Sequence, residues 1–152
     1  MELGTLSLPH DLETRCAEAK AYPSPSNCFG TTLFVTRVTL FDTHHEADAF
    51  VPALRSNFSP TSTIHIGDVA LFGHDPKLSR YFSKNPFVTF FEYFHPDPYY
   101  LDLYHAGVVV TLRPLVTIFS RNGANKPCDI RSIPELHEEY GTSSLLYLSS
   151  KK

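Results

Sequence analysis

Tryptophan is absent from these 152 residues, and cysteine is scarce. The three cysteines, Cys16, Cys28 and Cys128, are scattered and form no C-x-x-C pair. That spacing excludes a zinc knuckle and a dithiol redox motif, and it predicts three reduced thiols. No segment approaches the roughly 20 consecutive apolar residues of a membrane-spanning helix. The opening Met1-Glu2-Leu3-Gly4-Thr5-Leu6 has neither a basic lead nor a long apolar run, so it does not read as a secretory signal. A soluble chain is expected. Positive charge is also short: 13 Lys and Arg against 16 Asp and Glu leave a net charge of −3 with histidines neutral. This counts against a binder that holds nucleic acid by phosphate neutralisation alone. It leaves room for one that relies on stacking and local charge. A G-x-S-x-G nucleophile motif is missing as well.

What is present reads as one globular domain. Apolar residues make up 42% and charged residues 19%, so the chain can bury a core. Phe and Tyr account for the 13% aromatic share and crowd into residues 81–104. Eight histidines add charge that changes below neutrality.

Residues 1–9 are expected to be an unstructured lead. Over 10–22, Leu12, Cys16 and Ala19 fit a helical stripe, while Cys16 to Tyr22 also alternates as a strand would. Pro23-Ser24-Pro25-Ser26-Asn27 is a loop. Thr31–Asp42, rich in Val, Thr, Leu and Phe, predicts a strand. In His44–Phe58, Ala47, Phe50, Val51 and Leu54 fit a helix, but Pro52 disfavours a helix interior. A strand over 46–53 and a short helix or turn over 53–58 are predicted. Strands follow at Ile66–Phe72, after a turn or bulge at Gly67, and at Leu78–Phe82 and Phe87–Phe94. His95-Pro96-Asp97-Pro98 breaks the chain. Ala106–Phe119 is a further apolar strand, interrupted near Pro114, and 120–127 is a polar loop. Ser132, Pro134 and Glu135 mark a helix start with a capping box, and that helix should end near Gly141.

Several short pieces occur in a telling order. They are Lys20-Ala21-Tyr22, Gly30-Thr31-Thr32, Thr39-Leu40-Phe41-Asp42 and Gly67-Asp68-Val69-Ala70. In this order the chain resembles the single-stranded telomeric DNA-binding domains of the protection-of-telomeres and telomere-end-binding family. The resemblance spans residues 13–94. It implies a mainly β fold: a five-stranded OB-fold barrel with an extra C-terminal strand and short helix. The implied organisation is a flexible lead (1–9), the barrel (10–94) and an extension packed on it (95–152). Thr32 stands where the family carries an aspartate, and Leu71-Phe72-Gly73 replaces a basic stretch.

The resemblance implies a DNA-binding face. Lys20 would meet phosphate and Tyr22 would stack a base; the plainer reading is a surface lysine and a loop tyrosine. Thr31 and Thr32 would bond base edges, or simply shape a turn. Arg37 would lie on the binding face, or on an ordinary solvated sheet face. Lys77, Arg80 and Tyr81 would present charge and a stacking platform, with a core aromatic as the alternative. Phe91 and Tyr93 share one strand face and would mark a binding surface if exposed.

No catalytic residue, metal ligand or cofactor is expected. His44, His45, Glu46 and Asp48 look metal-like in composition, yet adjacent histidines diverge on any regular element, so a polar turn is expected there. The function expected first is a non-catalytic module binding single-stranded telomeric DNA in the nucleus, at chromosome ends. A protein-interaction subunit of a telomere-capping or replication complex, contacting other proteins of that assembly, is the alternative. A small hydrolase using His95, Asp97, Asp102 and His105 ranks last. A membrane partner is not expected.

Overall fold

Three helices come first in the chain and share one face of a sheet. The computed structural model describes residues 3–21, 25–73 and 103–151. Helix α1 spans Leu3–Ala21. Its stripe is the one the sequence offers: Leu12 and Ala19 are buried and Cys16 half-buried. The helical alternative therefore holds over 10–21, and the helix reaches back into residues expected to be a lead.

Helix α2, Cys28–Val35, is a correction. The strand predicted over Thr31–Asp42 is instead this helix followed by a turn and an irregular segment. Asn27 caps it, its side chain accepting from the Gly30 N–H at 2.9 Å. Seven of its eight residues are buried. A helix buried on nearly all sides shows no polar face, and its Val, Thr and Phe content then mimics a strand. Gly30 is not a turn residue. It lies where the following loop crosses α2, and a Cβ there would sit 1.7 Å from the Thr43 carbonyl oxygen.

Helix α3, Ala47–Asn57, is a second correction, because a strand was predicted over 46–53. Pro52, its sixth residue, forfeits a single bond to the carbonyl of Asp48, an exposed residue in the first turn. Against that, Phe50, Val51 and Leu54 become fully buried. Each contributes about 1.5–3 kcal/mol, which outweighs one lost hydrogen bond.

Among the described residues the sheet has six antiparallel strands. They are β1 (Phe58–Pro60), β2 (Val69–Gly73), β3 (Leu103–Thr111), β4 (Thr117–Arg121), β5 (Cys128–Ser132) and β6 (Ser144–Ser150). Their spatial order is β1-β6-β2-β3-β4-β5. The fold is thus β-rich, with an antiparallel sheet and, among the described residues, four helices. Among the described residues the sheet is open, with β1 and β5 at its edges, rather than closed into a five-stranded barrel. β2 and β3, from either side of residue 94, are hydrogen-bonded neighbours from Val69↔Val108 to Gly73↔Leu103. The strand predicted over 106–119 is two strands, β3 and β4, joined through Pro114. The strands predicted at 78–82 and 87–94 lie outside the described residues.

Alternation divides the sheet residues between two cores. On one face Val69, Leu71, Ala106 and Leu148 pack against Leu33, Phe50, Val51 and Leu54. Beside them Val108, Phe119 and Cys128 pack against Leu12, Ala19, Phe34 and Val35. On the other face Ala70, Phe72, Val109 and Ile118 pack against Leu136 of helix α4, Ile133–Tyr140. That helix matches its expected signals. Ser132 and Glu135 form the reciprocal capping box, and Gly141 ends it with a φ of +65°.

Candidate ligand-binding cleft

At one end of the sheet α1, the C-terminus of α2 and the end of β6 leave a cleft of 730 Å³. Ligand pockets are usually about 300–1,000 Å³. Leu12, Val35, Val38 and Phe58 contribute apolar lining, and Ile66, 41% exposed, stands at the mouth. Polar groups ring it: Asp11, Arg37, His65, Asp68, Ser149 and Ser150.

Two chain reversals build the mouth. The first ends α2. The Val38 N–H donates to the Leu33 carbonyl at 2.8 Å and the Arg37 N–H to the Phe34 carbonyl at 3.0 Å. This is the Schellman pattern, whose left-handed position usually holds glycine. Here it holds Arg37, at a φ of +69°. A side chain in that conformation costs about 1–2 kcal/mol. The guanidinium, 60% exposed, pairs with Asp11 Oδ2 at 3.1 Å. An exposed pair of this kind is worth about 0–1 kcal/mol, so an incoming anion can replace the aspartate.

The second reversal is His65-Ile66-Gly67-Asp68. The Asp68 N–H donates to the His65 carbonyl at 3.1 Å, and Gly67 supplies a φ of +98° at the third position. The nearly buried Asp68 carboxylate accepts from the His65 N–H at 2.8 Å, and the His65 ring lies 3.7 Å from it, largely in solvent. The Gly67-Asp68 turn into a strand is one of the pieces the sequence singles out, and the structure places it at this cleft.

Of the expected contact residues, Arg37 lines the cleft. Lys20 is exposed near the C-terminus of α1, about 13 Å along the helix from Asp11. Thr31 and Thr32 are corrections as surface groups, since both are 1% exposed. The Thr32 hydroxyl donates back to the Cys28 carbonyl at 2.8 Å. Thr31 belongs to a buried ion-pair network. Its hydroxyl donates to Asp42 Oδ1 and accepts from Arg121 Nε, each at 2.8 Å. Arg121 Nη2 pairs with Asp42 Oδ2 at 2.7 Å, with the two side chains 3% and 7% exposed. The same guanidinium donates to the carbonyls of Ala19 and Lys126. Tyr22, Lys77, Arg80, Tyr81, Phe91 and Tyr93 lie outside the described residues, as do His95, Asp97 and Asp102.

The sequence reading missed the cleft's apolar lining, because Leu12, Val35 and Phe58 come from three separate elements. It also missed Arg121, read as part of a polar loop over 120–127, whereas it ends β4 and is 2% exposed.

Other reactive groups are accounted for by packing. His44 pairs with Glu46, and His45 Nδ1 faces the Thr43 carbonyl, so the adjacent histidines do diverge. No group of three or more His, Cys, Asp or Glu able to hold a metal occurs among the described residues. His105 Nε2 lies 2.9 Å from Ser120 Oγ, but both residues are buried and Tyr140 stacks on the imidazole at 4.0 Å. Burial pushes the His105 pKa down to about 3. This sealed pair contributes to the core. Burial likewise pushes the Cys28 thiol up to about 12 and the Cys128 thiol up to about 11, which favours the protonated thiol over the nucleophilic thiolate at neutral pH.

No helix among the described residues is long and apolar enough to cross a membrane. Comparison with family models, curated proteins and solved structures finds no match to the chain.

Proposed function

We propose that this protein is a non-catalytic binding module whose end cleft takes a compact ligand with an apolar body and an anionic group. The observation that carries this reading is Arg37. A flexible cation is held at the cleft mouth in a backbone conformation that favours glycine, over an apolar lining. Strain kept at such a position points to use of the side chain. The ligand's apolar part would cover Val35, Val38 and Ile66, while its anion replaces Asp11 against Arg37.

The probe that tests this is 8-anilinonaphthalene-1-sulfonate, an aromatic sulfonate. Its fluorescence should rise on the folded protein, fall with added salt, and be lost in Arg37→Glu. A native protein that leaves the probe dark, or an Arg37→Glu variant that binds it equally well, rejects the reading.

Single-stranded telomeric DNA is the second reading, favoured by Arg37 at the cleft; Lys20 is exposed farther along α1, on the opposite side of that helix from Asp11. One base would enter the cleft and a neighbouring phosphate would meet Arg37. It does not draw on the barrel, since α1, α2 and α3 occupy much of the chain that the barrel would need. The nuclear, chromosome-end setting belongs to this reading alone. Fluorescence anisotropy with G-rich and C-rich single strands at low salt tests it, and an absence of binding to both removes it.

A further inference from the structure

The two sheet edges are built differently. β1 has three residues and ends in Pro60, features that discourage pairing by another strand. β5 has five residues, Cys128-Asp129-Ile130-Arg131-Ser132, without proline or lysine. Among the described residues no strand lies beyond it. Ile130 is 58% exposed on this edge, flanked by two charges of opposite sign.

We infer that β5 pairs with β5 of a second copy, antiparallel about a two-fold axis through Ile130, to form a dimer with one continuous sheet. This register is dictated by charge. It sets Ile130 opposite its own copy. It also sets Asp129 opposite Arg131 of the partner subunit, twice over. Directly opposed residues have Cβ atoms about 4.5–5.5 Å apart, within ion-pair reach.

Each group has capacity for the added contact. Within one protomer Arg131 Nε pairs with Asp129 Oδ2 at 3.1 Å and its Nη1 with Glu139 at 3.3 Å. A guanidinium carries five N–H donors in a planar fork, so Nη2 can serve a second carboxylate. Asp129 Oδ1 is buried within the protomer without a hydrogen-bond partner, so the oxygen left for a second copy is Oδ2, on a side chain 43% exposed. A carboxylate oxygen accepts more than one donor, so Oδ2 can take Arg131 of the partner subunit beside its own. The dimer then has four alternating charges in a ring on one face and two isoleucines in contact on the other. A shift by one residue to either side loses both ion pairs. Because the pairing uses the same edge on both copies, it closes at two.

The measurement is the solution mass of the full chain by sedimentation equilibrium, with wild type expected as a dimer. Arg131→Asp opposes like charges in this register, and the dimer should be lost. The exchange Asp129→Arg with Arg131→Asp keeps opposite charges facing across the axis, and the dimer should return. Ile130→Lys, which leaves the Arg131–Glu139 pair intact, should also give a monomer with unchanged circular dichroism. A monomeric wild type, a dimer that survives both single substitutions, an exchange variant that stays monomeric, or assembly beyond two overturns the proposal.

Discussion

Arg37 shows how one residue can be set by two opposing demands. The left-handed backbone position at the end of α2 favours glycine, while the cleft mouth presents a cation. Arg37→Gly relieves about 1–2 kcal/mol of backbone strain. Against this stand about 0.4–1 kcal/mol of unfolded-chain entropy and about 0–1 kcal/mol from the exposed Asp11 pair. The variant is therefore expected to fall between about 1 kcal/mol below wild type and about 1.6 kcal/mol above it in urea denaturation, while losing the sulfonate probe. A loss of stability larger than that would mean the side chain serves packing rather than binding. Gly30 is the contrasting case: no ligand bears on it, and the passing Thr43 carbonyl alone explains the missing side chain.

Between elements, the connection following α2 is held by the Asp42–Arg121 pair. It ties that segment to β4, to Thr31 of α2 and to the last turn of α1. Removing one partner leaves a buried charge uncompensated, at about 3–5 kcal/mol. Asp42→Ala should show that loss in urea denaturation, and Asp42→Ala combined with Arg121→Met should recover much of it. Losses that simply add would show the two side chains to be energetically independent. The elements also differ in how openly they are written. Helix α4 is legible because its stop and start lie in side chains: Ser132 and Glu135 bond the first turn, and Gly141 closes the last. Val69–Gly73 is legible as a strand because it is short, apolar and launched by a glycine turn. Helix α2 is not, because burial on nearly every side erases its period. Its one clear sign is Asn27, a capping residue at the end of a loop that reads as turn chemistry throughout. In α3 the helical spacing of Ala47, Phe50, Val51 and Leu54 is right, while Pro52 and the strand-like alternation of Ala47, Ala49 and Val51 mislead. Among the candidate contacts, Arg37 lines the cleft, although the strand it was assigned to is a helix terminus. Thr31 and Thr32 read as surface hydroxyls because the sequence cannot show that Arg121, 90 residues on, reaches back to meet Thr31, or that Thr32 turns inward on a buried helix to its own Cys28 carbonyl.

For the molecule as a whole, the second core beneath α4 makes stability depend on pH. His105 is buried there as a neutral ring, with a pKa near 3 instead of the usual 6.5, chiefly through loss of solvation and secondarily through Arg131. Between those values the unfolded chain binds a proton that the folded one refuses. The stability this burial contributes is complete above 6.5 and falls as the pH drops toward 3, by up to about 1.4 kcal/mol per pH unit. His105→Phe keeps the aromatic stack on Tyr140 without the titration. Its urea midpoint should decline less than wild type's between neutrality and about pH 4. Equal declines would place the acid sensitivity elsewhere. The order of the strands bears on when this core can exist at all. β6, the last of the six in sequence, lies between β1 and β2, pairing Phe58 with Ser150 on one side and Val69 with Leu148 on the other. A growing chain therefore holds an unfilled slot in its sheet until that strand is synthesised. During that interval, among the described residues, β1 has no strand beside it and one side of β2 is bare, so the nascent protein is most open to wrong pairing, or to a chaperone, just before β6 arrives.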